Sequence, residues 1–188
     1  MKRSVYSTAF ILLTLSIYGC AQPQQNLTLS PSYADAANNP FIPTNYRAAD
    51  VLMAQLQDQL PTGTGPLIVT TLVNIDSLNK SSTFGRVVSE QLSSRFTQAG
   101  YKMIEMKFGQ SLYIRQDQGE MMLTREIHDI AGSYNAKAVI VGTYGESRNY
   151  VFVNLKVVKP NTNSILAVYD YTIPINDSIS SMLRSKRL

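Results

Sequence analysis

The apolar residues of this chain change period part-way along, and that change constrains the fold more than any other feature. Ala48, Leu52, Leu56 and Leu60 recur every fourth position with Val51 beside them, which predicts a helix from Thr44 to Leu60, with Thr44 as its cap. Val151, Val153, Leu155 and Val157 instead alternate with Phe152, Asn154 and Lys156, the period of a strand with one side less buried. A helical stripe and an alternating strand each leave one apolar face to cover. A sheet with helices packed on it covers both.

The stretch between these two patterns fills in the order of elements. Pro61-Thr62-Gly63-Thr64-Gly65-Pro66 is a turn, and the β-branched run Leu67 to Val73 reads as one buried strand. Residues 74–82 connect it to a second helix, capped by Ser82, which runs to about Ala99. Phe84, Val88, Leu92 and Phe96 form its inner stripe, Arg86, Glu90 and Arg95 face outward, and Gly100 closes it. Strands are expected at Tyr101 to Met106, Ser111 to Arg115 and Ala138 to Tyr144. A third helix is expected from Thr124 to Tyr134, capped by Thr124 and ended by Asn135. Pro160-Asn161-Thr162-Asn163 turns the chain into a return strand, Ile165 to Ile173. The predicted fold is α/β (α+β): a mixed β-sheet packed by about three helices, ending in an antiparallel hairpin. It occupies residues 44–174, followed by a peripheral tail, 175–188, with a short helix over Ile179, Met182 and Leu183.

The N-terminus has a different character. Lys2 and Arg3 precede an apolar run from Val5 to Tyr18 that stops at Gly19-Cys20, the layout of a secretory signal. The run is shorter than the roughly 20 residues that a membrane-spanning helix needs. Leu15-Ser16-Ile17-Tyr18-Gly19-Cys20 resembles the bacterial lipobox, so residues 1–19 are expected to be removed and Cys20 to be acylated. Residues 20–43 then form a lipidated N-terminus and a polar tether rich in Gln, Asn, Pro and Ser. Cys20 is the chain's one cysteine, which excludes an internal disulfide. Losing Lys2 and Arg3 takes 17 basic residues to 15 against 13 acidic ones, so the formal charge falls from +4 to +2. That balance gives no support to nucleic-acid binding.

Chemistry-bearing patterns are sparse. His128, the single histidine, has no cysteine or carboxylate at a familiar metal spacing and reads as a surface helix residue. Glu120, Glu126 and Asp129 sit where carboxylates also favour a helix start. Ser89 lacks a glycine-flanked nucleophile elbow. Gly142-Thr143-Tyr144-Gly145 and Gly63-Thr64-Gly65 lack the phosphate-loop spacing and lysine. No catalytic residue, cofactor or metal ligand is therefore assigned. Tyr144, Tyr150, Phe152, Tyr169 and Tyr171 gather in the closing sheet region, where they form a candidate interface if outward and core if inward.

Several ordered segments together carry a resemblance. These are Leu67-Ile68-Val69-Thr70-Thr71-Leu72-Val73-Asn74-Ile75-Asp76, Ser81-Ser82-Thr83-Phe84-Gly85-Arg86, Gly100-Tyr101-Lys102, Leu123-Thr124-Arg125-Glu126, Val141-Gly142-Thr143-Tyr144 and Ala167-Val168-Tyr169-Asp170-Tyr171. From Pro66 to Pro174 the chain resembles the FlgO-type flagellar outer-membrane lipoprotein family. The resemblance implies a non-enzymatic outer-membrane lipoprotein facing the periplasm that supports flagellar assembly, stability and motility. Its expected partners are membrane lipid through acylated Cys20 and flagellar basal-body or other envelope proteins, with a homo-oligomer left open. Asn74, Asp76, Ser82 and Gly85 are read as a structural motif, the first two at the strand exit and the last two at the helix start. The alternatives are an oligomeric envelope transport accessory and a general ligand-binding lipoprotein.

Overall fold

The computed structural model describes residues 31–78, 80–104, 128–129 and 131–184. The chain divides into two units, residues 1–37 and residues 38–188. In the first unit the described element is a single helical turn and a half, α1 (Tyr33–Ala37). Ser32 starts it: its hydroxyl accepts the Asp35 N–H at 3.2 Å, while Asp35 Oδ2 accepts the Ser32 N–H at 2.8 Å. The Ser32 N–H and the Ser32 hydroxyl, which donates to the same Oδ2 at 2.8 Å, hold the Asp35 carboxyl below the usual range.

The second unit opens with α2 (Phe41–Leu56), which begins three residues before the expected start and ends four before the expected end. Thr44 is not the cap. Pro40 holds that position, the Thr44 N–H reaches the Pro40 carbonyl at 2.9 Å, and Asn39 Oδ1 takes the Phe41 N–H at 2.9 Å. Pro43 is tolerated because first-turn N–H groups have no intrahelical acceptor. Leu60 is buried as expected, in the turn that follows the helix.

Among the described residues six strands form one sheet: β1 (Leu67–Val69), β2 (Val73–Asn74), β3 (Met103–Ile104), β4 (Ala138–Glu146), β5 (Tyr150–Lys159) and β6 (Ser164–Pro174). The order is β3-β1-β4-β5-β6, with β2 also on β4. β1 runs parallel to β3 and β4, β2 runs parallel to β4, and β4-β5-β6 is an antiparallel meander. The sheet is therefore mixed and closes on an antiparallel hairpin, as the change of period predicts.

The expected continuous strand Leu67 to Val73 is interrupted. Val69 pairs with Ile140 and Val73 with Thr143, so the run from β1 to β2 spends one more residue than β4 over the same distance. Serines outside the sheet satisfy the displaced backbone. Ser89 Oγ accepts the Leu72 N–H at 3.0 Å and lies 2.9 Å from the Thr70 carbonyl, while Ser81 Oγ donates to the Leu72 carbonyl at 2.7 Å. A continuous apolar run records burial but carries no mark of such a bulge.

α3 (Thr83–Gln98) has Ser82 as its N-cap, and Phe84, Val88, Leu92 and Phe96 are fully buried along it. Gly100 follows at φ +92, the left-handed conformation that ends many helices. With α2, α3 covers one face of the sheet, against Ile140, Tyr144, Val151, Val153, Leu155 and Val157. On the other face Ile68 and Val139 pack with Ala131, which lies in helical residues 131–134. Asn135 ends that turn at φ +51. The expected strand Ser111 to Arg115, the start of the third helix at Thr124, and residues 105 and 106 lie outside the described residues.

The expected peripheral tail contributes to the core. Asn176 Oδ1 accepts the Ile179 N–H at 2.9 Å and caps α4 (Asp177–Leu183), whose Ile179 is buried with the α2 and α3 side chains.

Candidate interaction face

Alternation along the meander assigns the residues of β4 to β6, outside the bulge at Leu166, to one of two faces. On β5, the residues between Val151 and Val157 that share their parity point to α2 and α3, and those between them point away. Pairing carries this division across the sheet. Tyr144 sits opposite Val153, Tyr171 opposite Val153 from the other side, and Tyr169 opposite Leu155. Three of the five candidate aromatics therefore lie on the helix-covered face.

Tyr144 is consequently not an exposed interface residue. It is 3% exposed and packs edge-on to Phe84 with centroids 5.3 Å apart. Burial pushes its phenol pKa up, and hydrogen bonding with Ser82 works against that shift. Tyr171 donates from its hydroxyl to Asn45 Oδ1 at 2.6 Å, and Asn45 Nδ2 donates to Gln91 Oε1 at 2.6 Å. Asn45 is fully buried, so this chain of amide and phenol groups satisfies a polar residue inside the α2–α3–sheet core. Burial and the adjacent Tyr169 push the Tyr171 pKa well up. Tyr169 stacks on Tyr171 at 5.8 Å. Neither tyrosine belongs to an outward patch.

Tyr150 and Phe152 do face outward, 47% and 56% exposed. Phe152 lies between Gly145 on β4 and Thr172 on β6. Ile75, 56% exposed, lies over Gly145: a Cβ built on that glycine would meet its Cγ2 at 3.1 Å. Ile75, Phe152 and Tyr150 thus form an apolar patch at one end of the outer sheet face, bordered by exposed Pro174 opposite Tyr150. Periodicity does not mark Ile75, which follows β2 in a loop with no period of its own.

The four motif residues build the loop that presents Ile75. Asn74 Oδ1 accepts the Asp76 N–H at 2.8 Å, its own N–H reaches the Lys80 carbonyl at 2.9 Å, and Ile75 donates its N–H to the Tyr144 carbonyl at 2.9 Å. Asp76 contributes its backbone N–H, while its side chain is exposed. Ser82 Oγ accepts the Gly85 N–H at 3.5 Å. Gly85 must be glycine for space: a Cβ there would lie 2.3 Å from the Leu72 carbonyl and 2.8 Å from Ser81 Oγ. The loop is thereby fixed to α3 at one end and to β4 at the other.

The remaining candidates fall elsewhere. Cys20, Glu120 and Glu126 lie outside the described residues, and His128 and Asp129 are exposed. Among the described residues no group of three or more His, Cys, Asp or Glu side chains is placed to hold a metal, and no helix is long and apolar enough to cross a membrane. A shallow cavity of about 370 Å³ lies between the C-terminal ends of α2 and α3, lined by Met53, Ala54, Gln57, Pro61, Thr62, Ala99 and Tyr101. That lining contains no carboxylate and no histidine. The Tyr101 hydroxyl is engaged by the Leu60 carbonyl at 3.2 Å.

The family model described as FlgO protein matches residues 46–178, from within α2 to the start of α4. The chain belongs to the FlgO family. Membership supports a non-enzymatic lipoprotein of the cell envelope. No curated protein sequence matches the chain. Among solved structures, the C-terminal domain of LpoB from Salmonella enterica is similar at 16% identity and a TM-score of 0.49, covering 67% of this chain and 94% of that one. The NMR structure of Escherichia coli LpoB covers 92% of this chain and 84% of that one at 13% identity and a TM-score of 0.46. Lipoprotein GNA1162 from Neisseria meningitidis covers 61% and 83% at 12% identity and a TM-score of 0.44.

Proposed function

We propose that this FlgO-family chain is an outer-membrane lipoprotein, held by acyl groups on Cys20 and facing the periplasm, that supports flagellar assembly, stability and motility. The observation that carries the reading is the family match over residues 46–178, which takes in the whole sheet. In this reading residues 1–19 are the signal and residues 20–43 form the tether. More than one acyl chain makes the attachment durable, since each buried methylene contributes about 0.8 kcal/mol and a single chain binds only reversibly.

The domain acts by contact and not by catalysis. Its partner is a flagellar basal-body or other envelope protein, and the face offered to it is the patch of Ile75, Tyr150 and Phe152. Outward aromatic side chains suit such a role because they bring large apolar area with few rotatable bonds.

Clean deletion of the gene tests the function, read by swimming assays and electron microscopy of isolated flagella. The wild-type gene restores both, and Cys20→Ser restores neither. Normal swimming with unchanged flagella after deletion would refute the flagellar role. Intact mass spectrometry of the mature N-terminus reads the anchor separately, and an unacylated Cys20 would refute that part alone.

A further inference from the structure

Among the described residues β3 and β6 end the sheet, and α2 closes only part of the β6 edge. Gln55 Nε2 donates to the Val168 carbonyl at 2.9 Å while its Oε1 accepts the Val168 N–H at 3.1 Å. One side-chain amide thus makes both bonds that a residue of a neighbouring strand would make. Gln59 Nε2 reaches the Leu166 carbonyl at 3.5 Å, one ladder step away. Antiparallel alternation then fixes which β6 residues beyond the bulge at Leu166 turn their backbone outward: Val168, Asp170, Thr172 and Pro174, while Leu166 turns its carbonyl out to Gln59. The Ile175 N–H bonded to the Asn149 carbonyl agrees, because it places the intervening Pro174 outward.

We infer that Gln55 is an edge guard, a surrogate ladder residue that prevents β6 from pairing with β6 of a second copy of this chain. The strand is suited to self-pairing. It is rich in β-branched and aromatic residues, carries Asp170 as its one charge, and exposes Ile165 and Val168. Centred on Tyr169, two antiparallel copies of β6 would match Leu166 with Thr172 and Val168 with Asp170, in both directions. That makes two residue pairs with N–H and C=O on each side, flanked at each end by a Thr172 N–H on a Leu166 carbonyl, and no like charges opposed. With Gln55 on Val168 and Gln59 on Leu166, the register left open matches only Asp170 with Thr172, two pairs. Pro174 has no N–H to extend it.

The test is sedimentation velocity of the full chain in mild detergent over a range of concentrations. Gln55→Met keeps the helix and the stem of the side chain but removes both polar groups, and Gln55→Ala serves as the second variant. Each is expected to raise the weight-average mass towards twofold that of wild type at equal concentration. Adding Thr172→Pro, which removes an outward N–H, is expected to reverse that rise. In the double variant with Thr172→Pro, which stays monomeric, hydrogen exchange at the Val168 amide is expected to speed up by about fivefold or more, because neither Gln55 nor a second strand holds it. Folded Gln55 variants with the mass of wild type would overturn the inference. So would association that Thr172→Pro leaves unchanged, because the contact would then lie elsewhere.

Discussion

Replacing Ser89 by alanine should destabilise the domain far more than the loss of one hydroxyl suggests. Ser89 is buried on α3, and its Oγ accepts the Leu72 N–H at 3.0 Å while lying 2.9 Å from the Thr70 carbonyl and 3.0 Å from the Gly85 carbonyl. The Gly85 carbonyl lies at the helical spacing and has the backbone N–H of residue 89 as a partner as well. The other two groups belong to the bulge between β1 and β2, where no strand neighbour replaces the serine. Each buried backbone group left unmet costs about 1–3 kcal/mol, so Ser89→Ala should cost about 2–6 kcal/mol. Against a whole stability of about 5–15 kcal/mol that is a large fraction. Urea unfolding should show a lower midpoint with an unchanged slope, and the melting temperature should fall on the order of 10 °C. The opposite sign has a definite meaning. Alanine is the better helix former by up to about 0.7 kcal/mol, so a serine that merely fills space would yield a variant as stable as wild type or slightly more so. That result would refute the bulge account.

Three further outcomes follow from the same contacts. Gly85→Ala should destabilise by about 1–3 kcal/mol in urea titration, because the added Cβ meets the Leu72 backbone oxygen, which cannot rotate away. Stability should fall as pH climbs past about 10: burial raises the folded-state pKa of Tyr171 above its unfolded value near 10, so its contribution is complete below that pH and lost above it. Urea midpoints between pH 8.5 and 11 should show this, with a shallower slope in Tyr171→Phe and a residual slope from Tyr144 and Tyr101, whose pKa values burial also raises. Phe152→Ser, at an exposed position, should change stability by less than about 1 kcal/mol yet lower motility in complementation of the deletion strain.

Periodicity made most of the second unit legible. The stripes through Leu52 and Phe96 are buried where the four-residue spacing places them, and the Val151–Val157 alternation divides β5 as written. Local chemistry was weaker evidence. Thr44 has the composition of a cap, but Asn39 and Pro40 start α2 earlier, and a proline in the first turn concealed that start. Ser82 and Asn176 do cap their helices, because both stand in extended backbone just before the first turn. Ile179 looked peripheral because seven residues after a strand offer too short a pattern to distinguish a tail from a helix folded back on the core. The break at Thr70 to Leu72 left no sign in the apolar run, since its determinants are hydroxyls at Ser81 and Ser89, well away in sequence.

The candidate aromatics divided for a reason that can be traced through the hairpins. The connection Ser147–Asn149 sets Glu146 opposite Val151, so even-numbered residues of β4 share a face with odd-numbered residues of β5. Tyr144 is thereby placed with the buried valines. Between β5 and β6 the register instead matches odd with odd, as Val153 with Tyr171, so Tyr169 and Tyr171 turn inward too. Tyr150 and Phe152 remain outside whichever hairpin is chosen, because the valine alternation on their own strand fixes them. Clustering in sequence therefore could not define a patch: two residues were determined by their own strand and three by loop lengths on either side. Ile75 completes the outer patch from a loop held by Asn74 and Tyr144 and packed on Gly85. Motif residues that maintain the fold thus act on the surface as well, by setting where one exposed isoleucine stands beside Phe152.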